Sequence, residues 1–160
     1  MPHIEGLDRL LAEHPFFQGF DAAALALMAG CARNEKFDAG QNIFKQGDPA
    51  DRFFIIRHGQ VSIEICAPPK GRLPLQTLGE GEVLGWSWLV APYAWSFDAR
   101  ALTLVRAVSL DAVCLRKKCE ENHDVGYRLL QRFIPVMADR LTAARLQLQD
   151  LYAPAKAKAL

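Results

Sequence analysis

The sequence predicts a mainly β fold, a jelly-roll of about eight short strands flanked by helices. Between residues 37 and 110, short segments rich in Phe, Ile, Val and Leu alternate with Gly, Pro and Asp. Regular alternation of strand and turn signals is typical of a closed β-roll. On both sides of this region, apolar residues recur at intervals of three and four, which indicates helices. With 160 residues, 51% of them hydrophobic, the chain is long enough to bury a core.

Two helices are predicted before the roll. Apolar residues at helical spacing from Ile4 to Leu11 indicate the first, which ends at His14-Pro15. Asp21 is a suitable N-cap for a second helix, expected from Ala22 to Cys31.

The strands of the roll are predicted from apolar segments bounded by turn residues. His58-Gly59 is expected to form a two-residue hairpin turn. The predicted strands are Asn42–Lys45, Phe53–Arg57, Gln60–Cys66, Leu73–Leu78, Ala99–Leu104 and Val105–Leu110.

After the roll, Asp111 is expected to cap a short helix that reaches about Cys119, and Asn122 to cap a long one. The long helix carries a heptad seam, a pattern that pairs helices of two subunits unless the stripe packs on its own barrel. Pro135 predicts a bend or a helix boundary near Phe133–Pro135. The seam residues are Leu130, Ile134, Met137, Leu141, Ala144, Leu148 and Leu151.

We therefore expect one domain over residues 1–152, with its roll at about 37–110 and its C-terminal helices at about 111–152. Residues 153–160 are expected to form a flexible tail, because they are small, Pro- and Lys-containing and terminal.

Composition excludes several classes of function. The net charge of +1 gives no general attraction to nucleic acid or anionic membranes, and no apolar run reaches the length of a membrane span. The N-terminus lacks a signal-peptide pattern, so a cytoplasmic location is expected. The four scattered cysteines are expected to be free thiols, and the four histidines share no metal-ligand spacing. No nucleophile–base arrangement is readable, so we predict neither a metal site nor an enzyme.

The stretch from Gly79 to Leu89, continued to Ala101, holds all three tryptophans within ten positions. A glycine-rich backbone that leads into a short helix can offer N–H groups to an anion. Three indoles around such a turn either stack on a ligand or fill the place where one would bind.

Residues Ala39–Val61 resemble the cyclic nucleotide-binding domain, in the form found in bacterial regulators such as the cAMP receptor protein. The signature glycines would be Gly40, Gly47 and Gly59, with Asp48 after the second. The resemblance covers roughly Leu7 to Leu151. It implies an eight-stranded jelly-roll with flanking helices and a long C-terminal helix that pairs two subunits.

The family binds its nucleotide in a phosphate cassette, where a Glu after a Gly binds the ribose and a later Arg pairs with the phosphate. If Gly85 is the cassette glycine and Ala99-Arg100-Ala101 begins the next strand, these positions hold Trp86 and Trp95. An alternative register uses Gly81-Glu82, which restores the carboxylate but still supplies no Arg before Arg100.

The tryptophans thus either fill the former pocket, which we favour, or line an aromatic pocket for a less anionic ligand. Possible anchors for such a ligand are Ser87, Ser96, Arg100, Arg140 and Arg145, although we expect Arg100 to be a surface residue at a strand end. The pocket residues, if there is a pocket, are Val83, Leu84, Gly85, Trp86, Ser87, Trp88, Trp95, Ser96, Phe97, Arg140 and Arg145.

Our leading hypothesis is a stand-alone dimeric regulatory domain that acts through protein contacts, with no certain cofactor and no usual binding of cyclic nucleotide. The first alternative is a sensor of a small molecule or a cyclic nucleotide, with an unconventional aromatic pocket that moves the C-terminal helix. The second is a transcription regulator of the cAMP receptor type that acts with a partner. Direct DNA binding is not expected, because no basic recognition helix follows the long helix.

Overall fold

The computed structural model describes residues 6–66, 68 and 71–152. The predicted tail at 153–160 lies outside the described residues. Four α-helices flank the roll, and two short 3-10 helices, Pro15–Phe17 and Ser87–Leu89, join its parts. The α-helices are α1 (Leu7–Glu13), α2 (Ala22–Ala29), α3 (Ala112–Glu121) and α4 (His123–Tyr152).

Eight strands form two antiparallel four-stranded sheets, which confirms the predicted fold class. The strands are β1 (Ala32–Phe37), β2 (Asn42–Phe44), β3 (Arg52–His58), β4 (Val61–Cys66), β5 (Arg72–Leu78), β6 (Val83–Leu84), β7 (Asp98–Ala101) and β8 (Val105–Asp111). One sheet has the order β1-β8-β3-β6 and the other β2-β7-β4-β5. Each sheet therefore mixes early and late strands.

Side-chain caps determine where three of the helices begin. Asp21 accepts a hydrogen bond from the Ala24 N–H at 2.8 Å, and Asp111 accepts one from the Cys114 N–H at 2.8 Å. The Asn122 amide oxygen accepts one from the Val125 N–H at 3.3 Å. These caps satisfy amides that have no partner within the first turn, as the sequence predicts.

The start of the roll differs from the prediction. Helix α2 ends at Ala29 instead of Cys31, and an unpredicted strand, β1, follows at once. This strand pairs with β8 from Ala32↔Leu110 to Phe37↔Val105. Its centre is polar, Arg33-Asn34-Glu35, so it lacks the apolar alternation that marks the other strands.

The prediction of a helix boundary near Pro135 is wrong, because α4 is continuous from His123 to Tyr152. Val125, Leu129 and Phe133 anchor the helix before the proline, and Arg140 anchors it after the proline. Packing on both sides compensates for the backbone hydrogen bond that proline cannot donate.

The signature glycines serve the backbone. Gly40, Gly47 and Gly59 have φ values of 88°, 91° and 92°, in the left-handed region that favours glycine. A Cβ at Gly59 would lie 2.2 Å from the Leu104 carbonyl oxygen, so no larger residue fits there. Since β3 ends at His58 and β4 begins at Val61, the turn itself is Gly59-Gln60.

The prediction that all four cysteines are free thiols is wrong. Cys31, just after α2, forms a disulfide with Cys114 in the first turn of α3, whereas Cys66 and Cys119 are free. The two bonded residues are 83 positions apart in the sequence, so only the fold brings them together.

Candidate functional site

The cassette region lies between β6 and β7. Val83 and Leu84 form β6 and are buried, Gly85 follows with a φ of 98°, and the short helix Ser87–Leu89 begins after Trp86. Gly85 thus precedes the short helix, as the first alignment expects. In the alternative register Gly85 would lie inside the helix. Glu82 stands earlier, in the turn before β6, and accepts a hydrogen bond from the Gly79 N–H at 2.6 Å.

Trp95 is packed inside the roll. Its side chain is 4% exposed, and its ring stacks on Phe44 with centroids 3.7 Å apart and planes 7° apart. A Cβ at Gly85 would lie 2.7 Å from the Trp95 ring, so the indole lies directly against the cassette backbone. Parallel stacking at this distance excludes any other group from the space between the two rings.

Trp88 belongs to the core. It is fully buried, stacks on Phe53 with centroids 5.2 Å apart, and meets Phe133 of α4 edge to face at 5.4 Å. Its indole nitrogen has no hydrogen-bond partner among the described residues. Because this side chain joins the cassette to α4, a movement of one element is resisted by the other.

Trp86 is the half-buried member of the three and meets Phe97 edge to face, with centroids 6.3 Å apart. Both rings line a cavity of about 470 Å³ against α4, together with Ile134, Met137, Ala138, Arg140, Leu141 and Ala144. A second cavity of about 430 Å³ shares Phe97 and Ala144 with the first and is lined further by Ile65, Leu73, Pro74, Leu75, Gln147, Leu148 and Leu151. The two form a largely apolar groove between the roll and α4, which we call the helix groove.

Arg140 is the basic residue at the helix groove, but its side chain is buried and engaged. It donates to the Val83 carbonyl at 2.6 Å, to Asp139 at 2.8 Å and to Gln76 at 3.3 Å. Burial lowers the pKa of its guanidinium, against the opposing effects of Asp139 and Glu82. Arg140 thus connects α4 to β6 through its hydrogen bond to Val83. Arg145, the other predicted anchor on α4, is exposed and is not among the groove residues.

The two predicted serine anchors face each other, with 3.4 Å between the hydroxyl oxygens of Ser87 and Ser96. Ser87 is buried and Ser96 half-buried. These hydroxyls are engaged with each other across the cassette.

Arg100, expected to be a surface residue at a strand end, is a third exposed and also pairs with a buried carboxylate. It donates from two nitrogens to Glu64 Oε1, at 3.0 and 2.7 Å, and Glu64 is only 2% exposed. Ser62 lies opposite Arg100 and Glu64 opposite Asp98 in the β4–β7 pairing, so this register brings the two charges together diagonally. The sequence signal for this pair is a carboxylate, Glu64, inside a mostly apolar strand.

Sequence reasoning also missed how α3 holds the cassette. Arg116 donates to the Trp88 carbonyl at 2.7 Å, and its guanidinium carbon lies 4.1 Å from the Tyr93 ring centroid.

Among the described residues no group of three or more His, Cys, Asp and Glu side chains could hold a metal ion. None of the helices that the structure describes has the length and hydropathy of a membrane span.

Comparison with known proteins identifies the family. The model of the cyclic nucleotide-binding domain matches residues 34–122, more than half of the chain, and the chain belongs to this family. A solved protein of Geobacter metallireducens GS-15, provisionally assigned to the cyclic nucleotide-binding proteins, has a TM-score of 0.75 and 26% identity, with 84% of this chain and 97% of that one covered.

Among curated proteins, the CRP-like cAMP-activated global transcriptional regulator of Mycobacterium tuberculosis is 31% identical over 145 residues. The match covers 91% of this chain and 63% of the regulator. Glutaminase 1 of Bradyrhizobium diazoefficiens is 29% identical over 143 residues, which cover 88% of this chain and 22% of that enzyme. The chain thus spans less than two thirds of the length of each of these two curated relatives. The matching domain itself is a regulatory one.

Proposed function

We propose that this chain is a regulatory domain that does not bind cyclic nucleotide in the family's usual way and that acts by pairing its C-terminal helix with that of a second copy. The observation that carries the proposal is Trp95, which is stacked on Phe44 and 4% exposed at the position where the resemblance expects the phosphate-binding Arg. We also propose a cytoplasmic location and no enzymatic activity, since the M. tuberculosis relative is a regulator of transcription.

The chemistry of the cassette argues against the usual ligand. An indole has one N–H donor and no acceptor, so Trp86 cannot accept a hydrogen bond from a ribose hydroxyl, and Trp95 offers a phosphate no charge. Arg140 already donates to three protein groups. A buried phosphate needs charge-assisted hydrogen bonds to offset the loss of its hydration, and these residues do not supply them.

The exposed face of α4 supports pairing. Five seam leucines and isoleucines are about half exposed or more: Leu130 49%, Ile134 63%, Leu141 63%, Leu148 52% and Leu151 50%. Together with Met137 and Ala144, they are spaced alternately four and three residues apart, which is the spacing of a two-helix seam. A second copy of the same helix is the occupant that matches this periodicity.

Isothermal calorimetry with cAMP and cGMP tests the ligand proposal. We expect no binding tighter than about 10 μM for either nucleotide. Saturable binding below that value, lost in Trp95→Ala, would contradict the proposal. Circular dichroism would have to show that the variant remains folded.

Light scattering of the purified chain at micromolar concentration tests the pairing. We expect a dimer for the unchanged chain, a monomer for Leu141→Asp and a dimer for Leu146→Asp. Leu146 is the matched control because it is 56% exposed on the same helix but lies off the seam. A monomeric unchanged chain, or equal effects of the two substitutions, would count against α4 pairing.

The helix groove favours a second candidate, a sensor of an apolar small molecule. Its two cavities, about 470 and 430 Å³, are within the range of drug-sized ligand sites and are lined mainly by carbon. A ligand there would touch Trp86 and α4 together and so couple occupancy to the helix. Saturable binding of an apolar probe dye, followed by the dye's own fluorescence and weakened in Trp86→Ala, would support this candidate.

A further inference from the structure

The disulfide lies where the N-terminal helices meet α3. Cys31 is 7% exposed and follows α2, and Cys114 is half-buried in the first turn of α3. The Asp111 N–H donates to the Cys31 carbonyl at 2.8 Å, and Lys118 donates to the Leu27 carbonyl at 2.6 Å. The bond therefore reinforces a junction that two hydrogen bonds also hold, and its reduction need not unfold the chain.

The two bonded cysteines border a cavity large enough for a small reagent. Both line a cavity of about 280 Å³, together with Gly30, Ala32, Arg33, Arg52, Ser109 and Asp111. Glu35 pairs with both arginines, at 3.0 Å from Arg33, but the Arg33 side chain remains 65% exposed. An anionic thiol can approach this guanidinium without displacing a buried contact.

Cys114 lies at a helix N-terminus, beside charged groups of both signs. Its amide donates to the Asp111 cap, and Asp111, Arg33 and Arg52 line the same cavity. A helix N-terminus and neighbouring arginines are surroundings in which reactive cysteines are found. In the cytoplasm, where the chain is proposed to act, disulfides are mostly transient and redox-sensing.

Helix α3 connects this bond to the rest of the site. Two residues beyond Cys114, Arg116 binds the Trp88 carbonyl and lies over Tyr93. At the other end of α3, Cys119 packs so closely on Gly126 of α4 that an added Cβ there would lie 3.2 Å from the Cys119 Cβ. A change at the first turn of α3 thus reaches both the cassette and the start of α4.

We propose that Cys31 and Cys114 form a reversible redox site for a low-molecular-weight anionic thiol of the glutathione type, and that the state of this site controls the order of α3 and the cassette. In oxidation, the Cys114 thiolate attacks a disulfide RSSR and releases RS⁻. The Cys31 thiolate then attacks the mixed disulfide and releases the second RS⁻. The two protons of the cysteine thiols end on two RSH molecules, and reduction by two RSH reverses both steps.

The first experiment equilibrates the full chain with mixtures of reduced and oxidised glutathione that span the cytoplasmic range. Alkylation and peptide mass spectrometry would report the thiol state, and hydrogen exchange the local order. We expect the Cys31–Cys114 pair to titrate reversibly while the chain stays folded. Upon reduction, exchange at residues 87–93 and 112–121 should rise about tenfold. A Cys66→Ser variant should behave like the unchanged chain, because Cys66 is free and exposed.

Three outcomes overturn the proposal: a pair that never forms a disulfide, a pair that stays oxidised until the chain unfolds, and reduction without a change in exchange at those two segments. Cys31→Ser/Cys114→Ser should reproduce the reduced exchange pattern at every glutathione ratio. Arg33→Glu should slow the reaction with glutathione several-fold but not that with uncharged 2-mercaptoethanol, and Arg106→Glu is the control. These readouts involve neither nucleotide binding nor light scattering, so the proposed function stands or fails separately.

Discussion

An indole is stabilised by burial in an apolar site, whereas a charged side chain is stable there only beside an opposite charge. Trp95 gains by leaving water and stacking on Phe44, whereas an arginine at this position would need an anion beside it. The three tryptophans differ in role despite their proximity in sequence. Trp88 joins the cassette to α4, Trp95 fills the space beside Gly85, and Trp86 lines the helix groove.

The Glu64–Arg100 pair gives a prediction at the residue scale. Glu64 is 2% exposed and receives both of its hydrogen bonds from Arg100, whereas the Arg72 guanidinium stands 3.8 Å from its second carboxylate oxygen, beyond hydrogen-bond distance. Arg100→Ala should lower the free energy of unfolding by about 3 kcal/mol, the low end for a buried pair because the Arg100 side chain is 33% exposed.

Urea denaturation would measure this loss. Adding Glu64→Gln to Arg100→Ala should recover part of the stability, since it removes the unpaired charge. Arg9→Ala is the control, because the Arg9–Glu13 pair is exposed and should contribute little. Equal losses for Arg100→Ala and Arg9→Ala would contradict the structural role of the buried pair.

His14 gives a prediction of pH dependence. Burial lowers the pKa of its imidazole below the ordinary value of 6.5, against the opposing effect of the Gly81 carbonyl, and its Nδ1 accepts from the Phe16 N–H at 3.1 Å. As the pH falls below 6.5, the unfolded chain binds a proton that the native state excludes. The free energy of unfolding should therefore be greatest above this value and fall below it.

Urea denaturation between about pH 7.5 and pH 5 would measure the change, in a range above most carboxyl titrations. His14→Asn keeps a hydrogen-bond acceptor for Phe16 and should flatten the slope. His58→Asn, at an exposed strand end, should leave the slope as it is. A slope that persists in His14→Asn would assign the effect to another group.

At the scale of elements, α4 combines three tasks in one helix. Val125, Leu129 and Phe133 pack on the core, Arg140 binds β6, and the partly exposed seam lies along the helix groove. The helix passes through Pro135 because these anchors stand on both sides of it. A seven-residue repeat is therefore maintained across a residue that disfavours helix.

Pro135→Ala should consequently stabilise the chain. Pro135 is exposed, so the substitution removes little packing, and it restores a backbone donor within the helix. We expect the free energy of unfolding to rise by about 1–3 kcal/mol in urea denaturation, since proline is about 3 kcal/mol less favourable than alanine inside a helix. A loss of stability would indicate that the contacts around His14 and Pro15, which line the same cavity as Pro135, require the proline.

At the scale of the whole molecule, the proposed pairing links stability to concentration. If two copies share the α4 seam, the native dimer is favoured by mass action and its melting temperature must rise with protein concentration. We expect a rise of several degrees in calorimetry between about 1 and 100 μM. Leu148→Asp should melt lower and at a temperature that does not change with concentration, and a flat profile for the unchanged chain would contradict the pairing.

The resemblance of Ala39–Val61 to the cyclic nucleotide-binding domain indicated the family. The sequence by itself also determined the fold class, most strands, and the caps at Asp21, Asp111 and Asn122. These follow from local signals: glycines that need a positive φ, apolar alternation, and polar residues before helical periods. The proposal that Trp86 and Trp95 stand at the two ligand-binding positions of the cassette also comes from the sequence, because it depends on the alignment with Gly85.

Only the tertiary structure decided that Trp95 fills the space beside Gly85, that Trp88 packs in the core and that Trp86 lines the helix groove. It also joined Cys31 to Cys114 across 83 positions and set Arg100 against Glu64 through the β4–β7 register. Strand β1 was missed because its centre is polar and β8 supplies its pairing. Each of these features depends on contacts between residues far apart in the chain, and local residue patterns carry no record of such contacts.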